Sequence, residues 1–333
     1  MPGGTTTTGT GTAAIRFAAL AIWAMLVILV AQPAQARAVH EGVASCAGST
    51  CHGRQEATGP RVRQNEVISW SNPASVAGAH SRAWTVLAGP RAQAIGRRLG
   101  IANVQASAAC INCHGDPAPA RGPKWQLADG VGCEACHGPS TLWLASHAGV
   151  KATHADNVAR GMLALEDPKV RANLCLDCHF GSAKPGQFVF HRIMAAGHPR
   201  LAFELDLFTS LQSHHDEDGD YRARKAVAGG VKTWAVGQAL AVERALSLLP
   251  VVSGSISGPD FIFYDCRSCH RTFSDDPAAP IVARTNGWRT IPPGQPVWND
   301  EQMIMLAAAA RVAAPDMAAR FEARARAFHA AMG

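Results

Sequence analysis

Residues 133–139 read Cys-Glu-Ala-Cys-His-Gly-Pro, and the first five of them form a pattern that decides how this chain is built. Two cysteines three positions apart, followed at once by a histidine, are the attachment sequence for a c-type haem. Each thiol adds to one vinyl group, and the adjacent histidine reaches the iron from the same side. The pattern therefore predicts a covalently bound haem here.

The same pattern recurs along the chain and accounts for every cysteine. Three more Cys-x-x-Cys-His sequences occupy residues 110–114, 175–179 and 266–270, and a stretched one, with four residues between its cysteines, occupies 46–52. Chance would give on the order of 0.01 matches in such a chain. The sequence thus predicts five covalently bound haem c groups. Attachment is expected at Cys46, Cys51, Cys110, Cys113, Cys133, Cys136, Cys175, Cys178, Cys266 and Cys269, and proximal iron ligation at His52, His114, His137, His179 and His270.

Zinc sites and disulfides are the other common uses of paired cysteines. Zinc binding does not require a histidine directly after the second cysteine of every pair. Disulfides would leave the five adjacent histidines unexplained. The pattern favours haem over both alternatives.

The first 36 residues have the layout of a secretory signal. Arg16 is the only charge before an apolar run over residues 17–30, and Ala34-Gln35-Ala36 is typical of a cleavage site. The run is shorter than the roughly 20 residues that span a membrane. We expect a mature chain beginning near Arg37 in the periplasm, with membrane attachment only if this segment stays uncleaved.

Net charge gives no reason to expect nucleic acid as a partner. The chain carries 31 Lys+Arg and 25 Asp+Glu. Each ferric haem with ionised propionates adds about −1, so five of them offset most of the excess positive charge. The expected partners are redox proteins, either other cytochromes or a quinone-linked membrane complex.

The expected fold is mainly α with long loops, organised around closely packed covalent haems. A core with four haems is predicted over residues 37–205, and a helical extension with the fifth haem over 206–333. Helix-like spacing follows Asp220, a candidate N-cap, and ends at Pro250, with Gly229-Gly230 as a possible break. A flexible loop is predicted at 252–258 and an extended, Pro-rich surface loop at 277–297, followed by a helical tail that Pro315 divides.

The histidines that do not follow a cysteine decide between electron transfer and catalysis. An iron with two histidines is saturated, whereas an iron with one open face can bind a small ligand. Of 14 histidines, nine remain as candidates for the distal faces, more than the five irons need: His40, His80, His147, His154, His191, His198, His214, His215 and His329.

The order of motifs resembles the tetrahaem cytochrome c-554 family over about residues 40–200. The resemblance is carried by Trp70, His80-Ser81-Arg82-Ala83, the second motif with Gly115, the sequence 130–139 (Gly-Val-Gly-Cys-Glu-Ala-Cys-His-Gly-Pro), His147 and the fourth motif. It covers neither the last 130 or so residues nor the fifth haem, and the stretched first motif departs from it.

The resemblance implies three distal ligands. His147 would face the first haem, His80 the third, and His191 or His198 the fourth. The family's second haem has no distal protein ligand, so the haem at Cys110–His114 would be open. The surplus of histidines favours the opposite, that most or all irons here are six-coordinate.

The remaining candidates lie in two segments and three isolated positions. In the sequence 191–199, Gly197 and Pro199 predict a helix end near His198, so we expect His191 and His198 to serve different haems. Met194 is an alternative thioether ligand, but a methionine is more typical of core packing. The run that begins at His214 and continues into acidic residues has two interpretations. Either one of its histidines is a ligand, and we take His215 for it, or the whole run is a polar loop. His154 is expected to be a bystander, His329 to be favoured by the helix dipole, and His40 to reach a neighbouring haem if it ligates.

Together these patterns predict an exported pentahaem cytochrome that transfers electrons between periplasmic or membrane redox partners. The alternative is a reductase or oxidase of a small nitrogen or sulfur compound at a five-coordinate haem. A structural subunit of a larger respiratory complex is a third possibility.

Overall fold

The computed structural model describes residues 1, 3–4, 38–57, 63–215, 217–252, 259–270, 284–286, 289–291 and 295–332, and its fold is mainly α, as predicted. Most helices are short and are joined by irregular segments and 3-10 turns. The α-helices are α1 (Glu66–Ser71), α2 (Pro90–Leu99), α3 (Ala108–His114), α4 (Cys133–His137), α5 (Leu144–His147), α6 (His154–Ala159), α7 (Pro168–His179), α8 (His191–Ala195), α9 (Leu205–Leu211), α10 (Gly219–Arg224), α11 (Gly230–Leu248), α12 (Glu301–Ala313) and α13 (Pro315–Met332).

Shorter elements connect these helices. The 3-10 turns cover Val43–Ser45, Ala77–Arg82, Thr85–Ala88, Leu127–Asp129, Ser140–Leu142, Phe261–Phe263 and Cys266–Ser268. An antiparallel pair, β1 (Arg284–Asn286) and β2 (Arg289–Ile291), places Arg284 opposite Ile291. It lies within the predicted Pro-rich loop, most of whose other residues fall outside the described part of the chain.

The longest helix, α11, joins two apolar clusters. On one side Leu240 and Ala241 pack with Leu176 of α7 and Leu205 of α9. On the other, Val242 and Leu248 belong to a cluster that includes the following residues: Phe188, Val252, Phe263, Trp298, Met303 and Ala325. Since α7 ends in the fourth motif and Phe263 precedes the fifth, α11 fixes both motifs to one hydrophobic core.

The contact between α9 and α11 is close enough to require glycine. A Cβ on Gly237 would lie 2.5 Å from Leu205 Cβ, which is too short for two carbon atoms that belong to rigid helices. Helix α7 owes its start to local sequence. Asp167 accepts a hydrogen bond from the Lys169 amide at 2.8 Å, and Pro168 occupies the first turn.

Most helix boundaries agree with the sequence patterns, with one correction. The break at Gly229-Gly230 is present between α10 and α11, α11 ends before Pro250, and Pro315 separates α12 from α13. Asp220 is not the N-cap. It lies inside α10, and Asp218 caps the helix by accepting a hydrogen bond from the Tyr221 amide at 3.0 Å.

Several predictions fall outside what is described or remain untested. The signal segment, residues 253–258 of the predicted loop and most of the Pro-rich loop lie outside the described residues. Residues from Val39 onward form one compact unit, and the division near residue 205 stays a prediction. In the described part of the chain, no helix has both the length and the hydrophobicity to cross a bilayer.

Candidate haem sites

Helical geometry explains why three of the motifs have their cysteine spacing. The second motif ends α3, the third is α4, and the fourth ends α7. Positions i, i+3 and i+4 lie on one face of a helix, so both cysteines and the histidine point to the same side. The fifth motif begins in the 3-10 turn Cys266–Ser268. The first begins just after the turn Val43–Ser45, and its additional residues form an exposed loop at Gly48–Cys51.

The cysteines neither form disulfides nor join a zinc-type cluster among the described residues. All ten are free. The group that could hold a bare metal ion consists of histidines alone, His137, His214 and His215. None of the ten cysteines is thus part of a disulfide in the described residues.

Each proximal histidine faces a second imidazole at a nearly constant distance. The ring centroids are 6.1 Å apart for His52 and His147, 6.1 Å for His80 and His179, 6.2 Å for His114 and His198, and 6.2 Å for His191 and His270. His137 faces His214 at 6.3 Å and His215 at 5.9 Å.

This separation fits two imidazoles on opposite sides of one iron. A metal–imidazole bond is about 2.0 Å, and the ring centre lies about 1.1 Å beyond the nitrogen, which gives about 6.2 Å between centroids. Packed aromatic rings span about 4.5–7 Å, a range that includes this distance, so the recurrence at every motif is what distinguishes these pairs from ordinary ring packing. The spacing recurs at all five motifs, so the residues present fit five iron centres with two histidines each.

His147 lies opposite His52 of the first motif, which is the pairing that the family resemblance implied. His80 does not face the third motif as implied. Its ring lies against His179 of the fourth. The backbone of His80 does lie beside the third motif, because the Val131 amide, just before that motif, donates a hydrogen bond to the His80 carbonyl at 3.0 Å. The side chain of His80 points from there toward the fourth motif.

His191 and His198 face different motifs, and a helix end lies between them. Helix α8 starts at His191, and Gly197 has a φ of +113°, which ends the segment before His198. His191 faces His270 of the fifth motif, and His198 faces His114 of the second. The resemblance implied that one of them serves the fourth motif, but the ring beside His179 of that motif is His80.

Both histidines of the pair 214–215 approach the third motif. The His214 Nδ1 contacts the Gln212 carbonyl at 3.0 Å, which leaves its Nε2 directed elsewhere. The His215 Nδ1 lies 4.0 Å from a Glu66 oxygen. His215 was the predicted ligand of the two, and the structure offers His214 on equal terms.

The other three histidines contact carboxylates and face no proximal histidine. His40 Nδ1 lies 2.7 Å from Asp116, and His329 Nε2 lies 3.4 Å from Asp300. His154 contacts Glu166 at 2.7 Å through Nε2, the nitrogen that usually binds iron. The expectation that His154 is a bystander stays a prediction.

Hydrogen bonds at the outer ring nitrogens orient several of the facing histidines. His114 Nδ1 contacts the Ala83 carbonyl at 2.8 Å, and His198 Nδ1 contacts the Pro199 carbonyl at 2.8 Å. Such bonds select the tautomer in which Nε2 has a free lone pair for a metal. Burial lowers the pKa of His137 and of His179 to about 4, so both rings are neutral near pH 7.

Two buried carboxylates that sequence reasoning missed brace the first and third motifs. Glu134, only 2% exposed, accepts hydrogen bonds from the backbone amides of Glu41, Gly42 and Ser140 at 2.7–2.9 Å. Asp116 accepts from His40 and from Trp125. The signal for Glu134 was its place inside the Cys-Glu-Ala-Cys-His-Gly-Pro sequence, where the glutamate has no part in haem attachment.

The attachment cysteines of different motifs also touch. Cys46 of the first motif and Cys133 of the third are in side-chain hydrogen-bond contact, as are Cys113 of the second and Cys178 of the fourth. The thiol of Cys136 is close enough to those of the fourth motif for their charges to interact, although burial is the main reason that its pKa is raised to about 12. The first four motifs thus form a contiguous cluster, not separate sites.

Comparison with known proteins gives one family. Residues 45–138 match the family described as "Cytochrome c554 and c-prime". The matched segment holds the first three motifs, which agrees with the resemblance inferred from the sequence. No curated protein and no solved structure matches the chain. The match covers residues 45–138 only, and together with the motifs it supports a c-type cytochrome in electron transfer with covalently bound haem c.

Proposed function

We propose that this protein is an exported pentahaem cytochrome c in which two histidines hold every iron and which relays electrons between redox partners. The haem supplies a one-electron couple, and the protein sets its position, its axial ligands and its exposure. The observation that carries the proposal is the second histidine ring at 5.9–6.3 Å from each of the five proximal histidines.

The second motif matters most for choosing between a relay and an enzyme. An enzyme of this type needs an iron with an open face. His198 lies opposite His114, where the family resemblance implied no ligand. Arg91 and Arg98 hold the adjacent backbone through the carbonyls of Gly197 and Ala196, at 3.0 and 2.8 Å. A ring fixed in this way favours a saturated iron, and with it electron transfer over catalysis.

Contacts between motifs support an order for the relay. The thiol contacts connect the first motif with the third, and the second with the fourth. Cys136 and Cys175 link the third with the fourth. Helix α8 and the turn after it connect the fifth motif with the second, because His191 faces the fifth and His198 faces the second. The order that follows is first, third, fourth, second, fifth.

The two ends of this order have the most exposed attachment cysteines. Cys51 in the first motif and Cys269 in the fifth are exposed, whereas the other eight cysteines are partly buried. Electron transfer between proteins requires close approach to a haem edge. We infer that partner proteins, such as other cytochromes or a quinone-linked complex, dock at the first and fifth motifs. The N-terminal signal pattern supports a periplasmic location.

Three measurements on the holoprotein test this function. The intact mass should exceed that of the mature chain by five haems, and Cys46 and Cys51 should be modified. Electron paramagnetic resonance of the oxidised protein should show only low-spin iron. The reduced protein should not bind carbon monoxide rapidly. Fast binding at one haem would instead support the alternative of a reductase or oxidase of a small nitrogen or sulfur compound.

A further inference from the structure

The first motif differs from the others in what its histidine touches on the outer side. Glu66 Oε2 lies 2.9 Å from His52 Nδ1, and the Glu66 side chain is 17% exposed. The carboxylate is therefore mostly withdrawn from solvent and held against the outer nitrogen of the ring.

The backbone holds this contact on both sides. Glu66 is the first residue of α1, and the next amide, that of Val67, donates to the His52 carbonyl at 3.0 Å. The Arg54 amide donates to the Gln64 carbonyl at 2.8 Å. Gln64 adopts a φ of +58°, which is uncommon for a residue other than glycine. Backbone hydrogen bonds between residues 64–67 and 52–54 hold this conformation, so the backbone itself positions the Glu66 carboxylate beside His52.

Three other facing histidines have a neutral group, and not a carboxylate, at the ring nitrogen Nδ1. The Nδ1 atoms of His114, His198 and His214 contact backbone carbonyls. Among the histidines of the five facing sets, within the described residues, His52 is the one with a carboxylate in hydrogen-bond reach of its ring. The second Glu66 oxygen lies 4.0 Å from His215 Nδ1, beyond that reach.

A carboxylate and a carbonyl act differently on a metal-bound imidazole. The carboxylate raises the basicity of the ring and adds a negative charge close to the iron. Both effects stabilise the ferric more than the ferrous state, and partial burial limits screening by water. The potential of such a haem falls relative to one whose ligand touches a neutral carbonyl.

We propose that Glu66 makes the first haem the lowest-potential centre of the chain, so that electrons are received at the first motif and leave toward the fifth. This inference rests on the proposed relay and gives it a direction. The exposed loop Gly48–Cys51 leaves the first motif accessible to a donor, as the exposed Cys269 leaves the fifth accessible to an acceptor, so Glu66 alone sets the direction. A donor that fits would itself have a low potential.

The test is a redox titration of the holoprotein with Glu66→Gln. Glutamine keeps the size and can still accept the hydrogen bond from Nδ1, but it lacks the charge. Loss of an outer-sphere partner typically costs 10- to 100-fold in metal affinity or activity. Taking the lower figure for the ratio of ferric to ferrous iron, we expect the lowest of the five midpoint potentials to rise by about 59 mV, which is tenfold for one electron.

Glu166→Gln is the matched control. Glu166 has the same chemistry, contacts His154 at 2.7 Å and is 19% exposed, but His154 faces no proximal histidine. The control should leave all five potentials unchanged. Glu66→Asp keeps the charge with a shorter reach and should give a smaller rise, which covers the case that the glutamine variant does not fold.

Two results would overturn the inference. One is a lowest potential that stays in place in Glu66→Gln, and the other is an equal shift in Glu166→Gln. Failure of the relay itself has a different signature. The intact mass would then show fewer than five haems, or the wild-type protein would contain high-spin iron, before any variant is titrated.

Discussion

Replacing His198 with alanine should open one iron and no other. His198 lies opposite His114 with ring centroids 6.2 Å apart, which fits two imidazoles on one metal. Arg91 and Arg98 bind the carbonyls just before it, so the backbone keeps its anchors when the ring is lost. We expect the holoprotein to keep five haems, of which one becomes five-coordinate.

The size of the signal follows from this count. One iron in five, about 20% of the total, should become high-spin in the oxidised protein, and the reduced protein should bind one carbon monoxide per chain. His154→Ala is the control, because it removes a half-buried histidine whose Nε2 binds Glu166. It should bind no carbon monoxide. If His198→Ala stays fully low-spin and does not bind carbon monoxide, the assignment of His198 to the second haem is wrong.

Three further predictions test the fold and the third haem. Glu134→Ala leaves three backbone amides without their acceptor. At about 1–3 kcal/mol for each amide, the free energy of unfolding in urea should fall by at least about 3 kcal/mol. A loss below about 1 kcal/mol would contradict the role of Glu134 in holding the two motifs together. Because His214 and His215 both face His137, each single alanine variant should stay low-spin and only the double variant should bind carbon monoxide; ligand binding by either single variant would identify the sole ligand. Gly237→Ala should lower the free energy of unfolding by about 1–3 kcal/mol through a clash of the new Cβ with Leu205. Gly219→Ala is the control, because Gly219 has open space around it and the change should not destabilise the protein. Equal stabilities of the two variants would refute the close packing of α9 on α11.

The haem motifs and helix breaks could be read from sequence because they are local. Five residues specify an attachment site, Gly197 permits the left-handed backbone that ends a helix, and Pro315 cannot continue the helix before it but can begin the next. The partners of the proximal histidines could not be read in the same way. His80 shows why, because its backbone is bound beside the third motif while its ring faces the fourth, and only side-chain direction separates the two. Glu66 was missed for a similar reason, since nothing in its neighbours along the chain distinguishes it from a solvated helix start.

The pairing of histidines has a consequence for how this chain can be cut or assembled. Each facing pair joins positions roughly 80 to 100 residues apart, and the intervals overlap, so the chain is interlaced throughout. The third motif belongs to the predicted core, yet His214 and His215 lie beyond residue 205. A truncation there would leave the iron of the core's third haem without its second ligand. In the proposed arrangement the two predicted segments therefore depend on each other, because the core takes a ligand of its third haem from the segment that follows it.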